Sequence, residues 1–152
     1  MSNIFQSSIR DAKIHDSVTI VEPVNIYECE IAKDSFVGPF VEIQKGAKVG
    51  KRVRIQSHSF ICDKVTIGDD VFIGHGVVFV NDKFNGGNRA NGDPQKIEKT
   101  FIADKVLIGS NSTILPVSIC SGAVIGAGAV ITKDISKPGV YAGNPAQLIK
   151  DL

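Results

Sequence analysis

The sequence is short of several features that identify common classes of protein. It has only three cysteines in 152 residues, and an odd, widely spaced number argues against a disulfide framework and against a Cys-x-x-Cys metal site. We therefore predict packing roles for Cys29, Cys62 and Cys120. Lysine and arginine number 17 against 16 aspartates and glutamates, with no basic tract long enough for a nucleic-acid footprint. We expect no nucleic-acid partner.

Long apolar runs are also missing. No stretch approaches the length of a membrane span, and the first residues lack the charged and then apolar layout of a signal peptide. We therefore expect a cytoplasmic protein without a membrane partner. No linker interrupts the chain, so we expect a single domain over residues 1–152.

A helical period is absent as well, and apolar residues recur every six positions instead. A period of 3.6 residues cannot stay in phase with a step of six, whereas a short strand followed by a tight corner can. Only two of the steps within the series are of five residues. The series comprises Ile14, Ile20, Ile26, Ile31, Val37, Ile43, Val49, Ile55, Ile61, Ile67, Ile73 and Phe79, then Ile102, Ile108, Ile114, Ile119, Ile125 and Ile131.

Three such units complete a triangular coil, so the pattern predicts an all-β, single-stranded parallel β-helix of about six coils. Each coil should rise by about 4.8 Å. Every third unit falls on the same wall, which predicts that Ile14 lies below Ile31, Ile20 below Val37 and Ile26 below Ile43.

Two segments depart from the repeat. Residues 81–100 are rich in turn formers and interrupt the series after a complete coil, which predicts an inserted loop that leaves the register intact. Near the other end, Pro145 follows Gly143 and Asn144. Because proline is common at the first position of a helix, we predict a short C-terminal helix over residues 145–150.

Two histidines and an Asn-Asp pair are the candidate catalytic residues. His58 and His75 follow equivalent strands and should lie on the same wall of adjacent coils. Asn81 and Asp82 come at the next corner, where the insertion begins, so the four side chains are predicted to converge around one mouth. The alternative is that they are solvated corner residues, since Asn and Asp suit turns chemically.

The segments 24–31, 40–46, 55–62 and 72–82 resemble N-acetyltransferases of the hexapeptide-repeat, left-handed β-helix acyltransferase family, in particular the subgroup that acts on nucleotide-linked 3-amino sugars. The resemblance implies a left-handed helix, a homotrimer with active sites at the subunit interfaces, acetyl-CoA as acyl donor and no metal. It also implies a dTDP- or UDP-linked aminosugar as acceptor, for surface polysaccharide biosynthesis.

Roles for individual residues follow from the chemistry of acetyl transfer to an amine. His58 or His75 would take the amine proton as general base, Asp82 would orient the ammonium form, and Asn81 would hold the sugar or the oxyanion. Positioning of the neutral amine without a base is the alternative.

The inserted loop supplies the candidates for substrate binding. Relatives of this type usually have Tyr-Pro-Arg soon after Asn-Asp, whereas this chain has Phe84 and, further on, Arg89. Arg89 would pair with a diphosphate or a carboxylate.

Residues 124–134 and 143–146 resemble the part of the family that binds coenzyme A. Small residues there would let the pantetheine arm approach the backbone, and lysines would meet its phosphates. The predicted donor-binding residues are Gly109, Ser110, Ala127, Lys133, Asn144, Pro145 and Lys150.

Three other functions remain open at this point. An acetyltransferase could act on another small amine or hydroxyl acceptor. A γ-class carbonic anhydrase has the same fold but needs three histidines on zinc, and His15 belongs to the first coil, far from His58 and His75. A non-enzymatic scaffold would not need the insertion, and an ice-binding face would need ranks of threonine. Coenzyme A binding separates the acetyltransferases from the other two.

Overall fold

The computed structural model describes all 152 residues as a left-handed parallel β-solenoid of about seven turns. Most of its 21 strands contain two or three residues, and tight corners separate them. The β-helix predicted from the six-residue period is confirmed. Three strands lie outside the 18 predicted units, Ile9–Arg10 at the start and Gly139–Gly143 and Ala146–Asp151 at the end, and they extend the solenoid beyond the predicted six coils.

Three flat sheets form the walls of the solenoid, and the chain visits them in rotation. The first wall contains β2 (Lys13–Ile14), β5 (Glu30–Ile31), β8 (Lys48–Val49), β11 (Val65–Ile67), β14 (Thr100–Ile102) and β17 (Ser118–Ile119). The second wall contains β3 (Thr19–Ile20), β6 (Phe36–Val37), β9 (Arg54–Ile55), β12 (Phe72–Ile73), β15 (Leu107–Ile108), β18 (Val124–Ile125), β20 (Gly139–Gly143) and β21 (Ala146–Asp151). The third wall contains β1 (Ile9–Arg10), β4 (Asn25–Tyr27), β7 (Glu42–Ile43), β10 (Phe60–Ile61), β13 (Val78–Phe79), β16 (Thr113–Ile114) and β19 (Val130–Ile131).

The pairing register agrees with the walls predicted from the sequence. Ile14 pairs with Ile31 on the first wall, and the same wall resumes after the insertion with Ile67 paired to Ile102. The inward aliphatic side chains therefore stack above one another along the axis and form one continuous core of 30 buried residues. Burying each isoleucine contributes about 1.5–3 kcal/mol, so the repeat itself supplies the main stabilising energy.

The predicted C-terminal helix is wrong, because the segment forms an antiparallel hairpin. Strand β20 pairs with β18 on the second wall, and β21 turns back along β20. Gly143, with φ of 102°, occupies a backbone conformation that side chains rarely adopt, and it allows the turn. A six-residue helix without a packed face would be marginal, whereas the hairpin extends an existing sheet and covers the last coil.

The insertion leaves the third wall after Phe79 and returns to the first wall at Thr100. Its only regular element is a 3-10 turn, Asn85–Gly87. Lys64 holds the loop against the solenoid, because its Nζ donates to the carbonyls of Pro94 and Ile97. No helix in the structure has the length and apolar character needed to cross a membrane.

Candidate active site at one corner of the solenoid

The two histidines lie at the corner where the second wall turns into the third. This histidine corner is formed in successive coils by residues 39–40, 57–58, 75–76, 110–111 and 127–128. His58 occupies the left-handed backbone region, with φ of 64°, and Gly76 takes the same conformation one coil above. His58 therefore lies beneath Gly76, and His75 lies above Ser57. The predicted placement of the histidines on adjacent coils holds, with an offset of one residue.

His75 is held on both sides by serine hydroxyls. Oγ of Ser57 lies 2.9 Å from Nδ1 of His75, and the backbone N–H of His75 donates to Oγ of Ser110 at 3.1 Å. In the tautomer with its proton on Nδ1, His75 donates to Ser57 and leaves Nε2 free to accept a proton. The corner thus presents one imidazole in a fixed orientation to solvent.

His58 makes a different contact. Its ring stacks on that of Phe40 from the coil below, with the centroids 4.8 Å apart and the planes 28° from parallel. Phe40 is 57% exposed, so the pair forms an aromatic surface next to the Ser57–His75 pair. Neither Phe40 nor its neighbours on the third wall were identified from the sequence. The sequence feature that could have identified this surface is a phenylalanine at a corner position where the other coils have His, Gly or Asn.

Asn81 and Asp82 lie at a different corner, where the third wall meets the first. One complete wall strand, β13, separates them from His75, so the four side chains do not form one mouth within a single chain. The Asn81 amide donates to the Asp63 carbonyl at 3.1 Å. A cavity of about 260 Å³ opens beside Asn81, between Lys45, Asp63 and Asp93 of the insertion.

The Asp82 carboxylate is engaged by its own loop. It accepts hydrogen bonds from the backbone N–H groups of Ala90, at 2.6 Å, and Phe84, at 2.9 Å. These two bonds lower the pKa of Asp82 from its usual value. Through these bonds Asp82 fixes the start of the insertion. The insertion contains the two residues predicted to bind substrate. Phe84 is 62% exposed, and Arg89 is exposed without a hydrogen bond or ion pair.

The predicted donor-binding residues divide into two groups. Gly109, Ser110 and Ala127 lie at the histidine corner in the coils above His75. The corner is closely packed there, since a Cβ on Gly109 would lie 2.5 Å from the backbone nitrogen of Ala127. Glycine is therefore required at this step of the stack.

The terminal hairpin continues the same line. Tyr141 pairs with Ile125, and its backbone carbonyl accepts a hydrogen bond from the N–H of Gly126. The turn at Asn144 and Pro145 therefore follows at the top of the histidine corner. Lys133 and Lys150 lie elsewhere. Lys133 follows β19 and borders a separate cavity of about 240 Å³ beneath the hairpin, and Lys150 pairs with Val140 at the far end of β20.

The cysteines and His15 lie outside the candidate site. All three cysteines are free thiols, and burial raises the pKa of Cys29 to about 11 and that of Cys62 to about 12. Burial thus disfavours the thiolate of both residues, which argues against a nucleophilic role. His15 contacts Ser17 at the corner between the first and second walls, and no group of three metal-ligating side chains occurs anywhere in the chain.

Comparison with known proteins finds one matching family model and several similar curated proteins. Residues 100–133 match the family model described as "Hexapeptide repeat of succinyl-transferase". The chain is 45% identical over 150 residues to the bifunctional protein GlmU of Streptococcus gordonii, which covers 97% of this chain and 30% of that protein. It is 42% identical over 59 residues to a 2,3,4,5-tetrahydropyridine-2,6-dicarboxylate N-acetyltransferase of Staphylococcus aureus, with 38% of this chain and 25% of that protein covered. The chain thus spans less than a third of these relatives' length.

Solved structures share the fold at low identity. The hexapeptide-repeat acetyltransferase VCA0836 of Vibrio cholerae, complexed with acetyl coenzyme A, has a TM-score of 0.65 at 24% identity, covering 78% of this chain and 68% of that one. A variant of AntD, an N-acyltransferase from Bacillus cereus in complex with dTDP and coenzyme A, has a TM-score of 0.69 at 19% identity, covering 93% and 81%. A variant of GDP-perosamine N-acetyltransferase from Caulobacter crescentus, in complex with coenzyme A and GDP-perosamine, has a TM-score of 0.65 at 16% identity, covering 95% and 58%. The family model thus matches one segment of the chain, residues 100–133, and the solved structures share its fold.

Proposed function

We propose that the chain is an acetyl-CoA-dependent N-acetyltransferase that acts on the amino group of a nucleotide-linked amino-deoxy sugar. The observation that carries the proposal is the continuous line along the histidine corner. It runs from the aromatic pair at Phe40 and His58, through His75, to the small residues Gly109 and Ala127. In this proposal, acceptor-binding groups, a base and a donor cradle would occupy successive coils of one edge.

The donor end fits a pantetheine arm. Gly128 stands at this corner with φ of 71°, and a Cβ built on it would meet nothing within 4 Å, so the edge is open at that coil. Ala127 and Gly126 add almost no side-chain bulk beside it. The N–H groups of Gly126 and Gly128 already donate to the carbonyls of Tyr141 and Ser110, so a flexible donor arm would lie along the exposed Ala127 and Gly128 without replacing those bonds. When bound there, coenzyme A would supply the acetyl group as an activated thioester.

The chain's own residues would then handle the proton. Nε2 of His75 accepts the proton that the amine loses, while Ser57 fixes the orientation of the ring through Nδ1. General base catalysis of this kind contributes typically 10²–10⁴-fold. His58 would lie one coil nearer to the acceptor and keep the aromatic surface in place.

A homotrimer gives Asn81 and Asp82 a place in this proposal. The insertion corner and the histidine corner lie on opposite edges of the third wall, so one chain cannot close a site between them. Three copies around an axis would let the insertion of one copy face the histidine corner of the next. The solution mass tests this step, since we expect three times the mass of one chain.

The experiment that tests the function measures thiol release from acetyl-CoA with a panel of acceptors. The panel contains dTDP-, UDP- and GDP-linked 3-amino and 4-amino sugars. We expect turnover with one of these sugars. The relatives' names favour a second candidate, an acetyltransferase for another small acceptor, so tetrahydrodipicolinate belongs in the panel as well. Turnover with that compound alone would replace the sugar proposal, and absence of both turnover and coenzyme A binding would contradict either.

A further inference from the structure

Residues at one position of the histidine corner form a column beside His75. From the lowest coil upwards this column contains Phe40, His58, Gly76, Asn111 and Gly128. All of them have the left-handed backbone conformation that recurs at the corners of the solenoid. The backbone N–H of Asn111 donates to the carbonyl of His75 at 2.8 Å, so Asn111 lies one coil above the imidazole.

The Asn111 side chain fills a gap in the column. Gly76 and Gly128 have no side chain, and the Asn111 amide lies over the lower of these two glycines. A Cβ built on Gly76 would lie 2.6 Å from Oδ1 of Asn111, so the amide occupies the space that a larger residue would need. A Cβ built on Gly128 would meet no atom within 4 Å. The column is therefore open at Gly128 and filled by the amide at Gly76.

The position of Asn111 places it on the path of the donor. A donor arm that lies along Ala127 and Gly128 has to descend two coils, about 10 Å, to reach His75. Its thioester carbon must come close to the amine that loses a proton to Nε2 of His75. The end of the arm thus lies at the level of Asn111 and Gly76, where the acyl group meets the amide.

The size of the acyl group decides whether it fits there. An acetyl group presents only a methyl group beside the Asn111 amide. Each further methylene would need the volume that the amide occupies over Gly76. A fitted pocket distinguishes ligands that differ by one methylene by about 10- to 200-fold. Contact with Asn111 is therefore sufficient to separate acetyl from longer acyl groups.

We propose that Asn111 limits the length of the acyl group that the chain transfers, so that acetyl-CoA is accepted and longer acyl-CoA thioesters are disfavoured. The inference rests on the proposed function, because it takes His75 and the donor line as the site of reaction. Asn111 acts by its volume and supplies no proton. Removing its side chain would join the space over Gly76 to the open space at Gly128 and leave room for a longer chain.

The test measures transfer from acetyl-, propionyl- and butyryl-CoA by the wild type and by Asn111→Gly. Glycine suits the left-handed conformation and stands at this corner position one coil below and one coil above, so we expect the variant to fold. The wild type should prefer acetyl-CoA to butyryl-CoA by about 100-fold or more in kcat/KM. Asn111→Gly should reduce this preference by about ten-fold or more. Asn111→Asp, which keeps the size of the side chain, should retain it.

Lys105→Gly is the matched control. Lys105 belongs to the same coil and has φ of 60°, close to the 59° of Asn111, but it lies at the corner between the first and second walls. This variant should prefer acetyl-CoA as the wild type does. An Asn111→Gly variant with the wild-type ratio of butyryl to acetyl transfer would overturn the inference. So would a wild type that transfers both groups equally well, because the acyl group would then not meet Asn111.

Calorimetric titration with the same thioesters separates this inference from the proposed function, since it needs no acceptor. We expect the wild type to bind acetyl-CoA about ten-fold or more tightly than butyryl-CoA, and Asn111→Gly to bind the two about equally. That result without acetyl transfer to any aminosugar supports the length limit and contradicts the proposed acceptor. Acetyl transfer to an aminosugar with the same acyl preference in the wild type and in Asn111→Gly supports the function and overturns the length limit.

Discussion

Replacement of one buried serine tests how the coils are held in register. Ser59 is 1% exposed and connects two coils through its hydroxyl group. The hydroxyl donates to the carbonyl of Gly74 at 2.8 Å and accepts the backbone N–H of Val77 at 3.2 Å. Ser35, also buried, repeats this pattern with the carbonyl of Gly50 and the N–H of Val53, and the buried Ser112 hydroxyl donates to the carbonyls of Gly109 and Gly126. In Ser59→Ala, two buried backbone groups lose their partner.

The expected loss of stability follows from those two groups. A buried donor or acceptor left without a partner costs about 1–3 kcal/mol. Partial relaxation of the corner offsets part of the sum, so we expect Ser59→Ala to lower the free energy of unfolding by about 2–3 kcal/mol. For a chain of this length, that corresponds to a fall in Tm of roughly 4–12 °C.

The assay is denaturant unfolding followed by circular dichroism, at one protein concentration for all variants. Ser121→Ala is the control, because the Ser121 hydroxyl also bonds a backbone carbonyl, that of Asp104, but at an exposed position. We expect it to change the free energy of unfolding by no more than about 0.5 kcal/mol. Equal effects of Ser59→Ala and Ser121→Ala would refute the reasoning, since water would then satisfy both sites.

Three further predictions follow from the site and its surroundings. Because its loop lowers the pKa of Asp82, Asp82 favours the folded loop at a pH above 3.8, and this contribution is lost as the pH falls through the lowered pKa. Asp82→Asn should therefore increase the proteolysis of the insertion at pH 7, and the difference from the wild type should shrink as the pH falls through the lowered pKa of Asp82. Gly109→Ala should destabilise the chain by about 1–3 kcal/mol in denaturant unfolding, because its Cβ would meet the Ala127 backbone. A wild-type stability would contradict that packing. Cys62, buried and with its pKa raised to about 12, should react with a thiol reagent far more slowly than the partly exposed Cys120, and equal rates would contradict the core placement.

The fold was predictable from the sequence because the inward position of each six-residue unit is occupied by an apolar side chain. Only an aliphatic or aromatic side chain fits there, and a step of six residues leaves the pairing little freedom. The pairs Ile20 with Val37 and Ile26 with Ile43 occur as predicted. The C-terminal hairpin was not predictable in this way. Pro145 after Gly143 and Asn144 is compatible with the start of a helix. The segment forms strands because β18 has a free edge with which β20 pairs.

The candidate site was predictable in part. The spacing of 18 residues between Ile55 and Ile73 correctly predicts that His58 and His75 lie on adjacent coils, and the structure places His75 above Ser57. The predicted convergence with Asn81 neglected the wall strand that separates two successive corners. The Phe40–His58 stack was missed because the six-residue period describes the inward positions and does not say which corner side chains meet between adjacent coils.

The most direct test of the proposed reaction compares acetyl transfer from acetyl-CoA to the preferred nucleotide-linked aminosugar by three proteins. These are the wild type, His75→Ala, and His15→Ala as a matched histidine variant at another corner. We predict that kcat falls by about 10²–10⁴-fold in His75→Ala, with KM for the acceptor changed little, and that His15→Ala behaves as the wild type. A His75→Ala variant with the kcat of the wild type would contradict the placement of the reaction at the histidine corner.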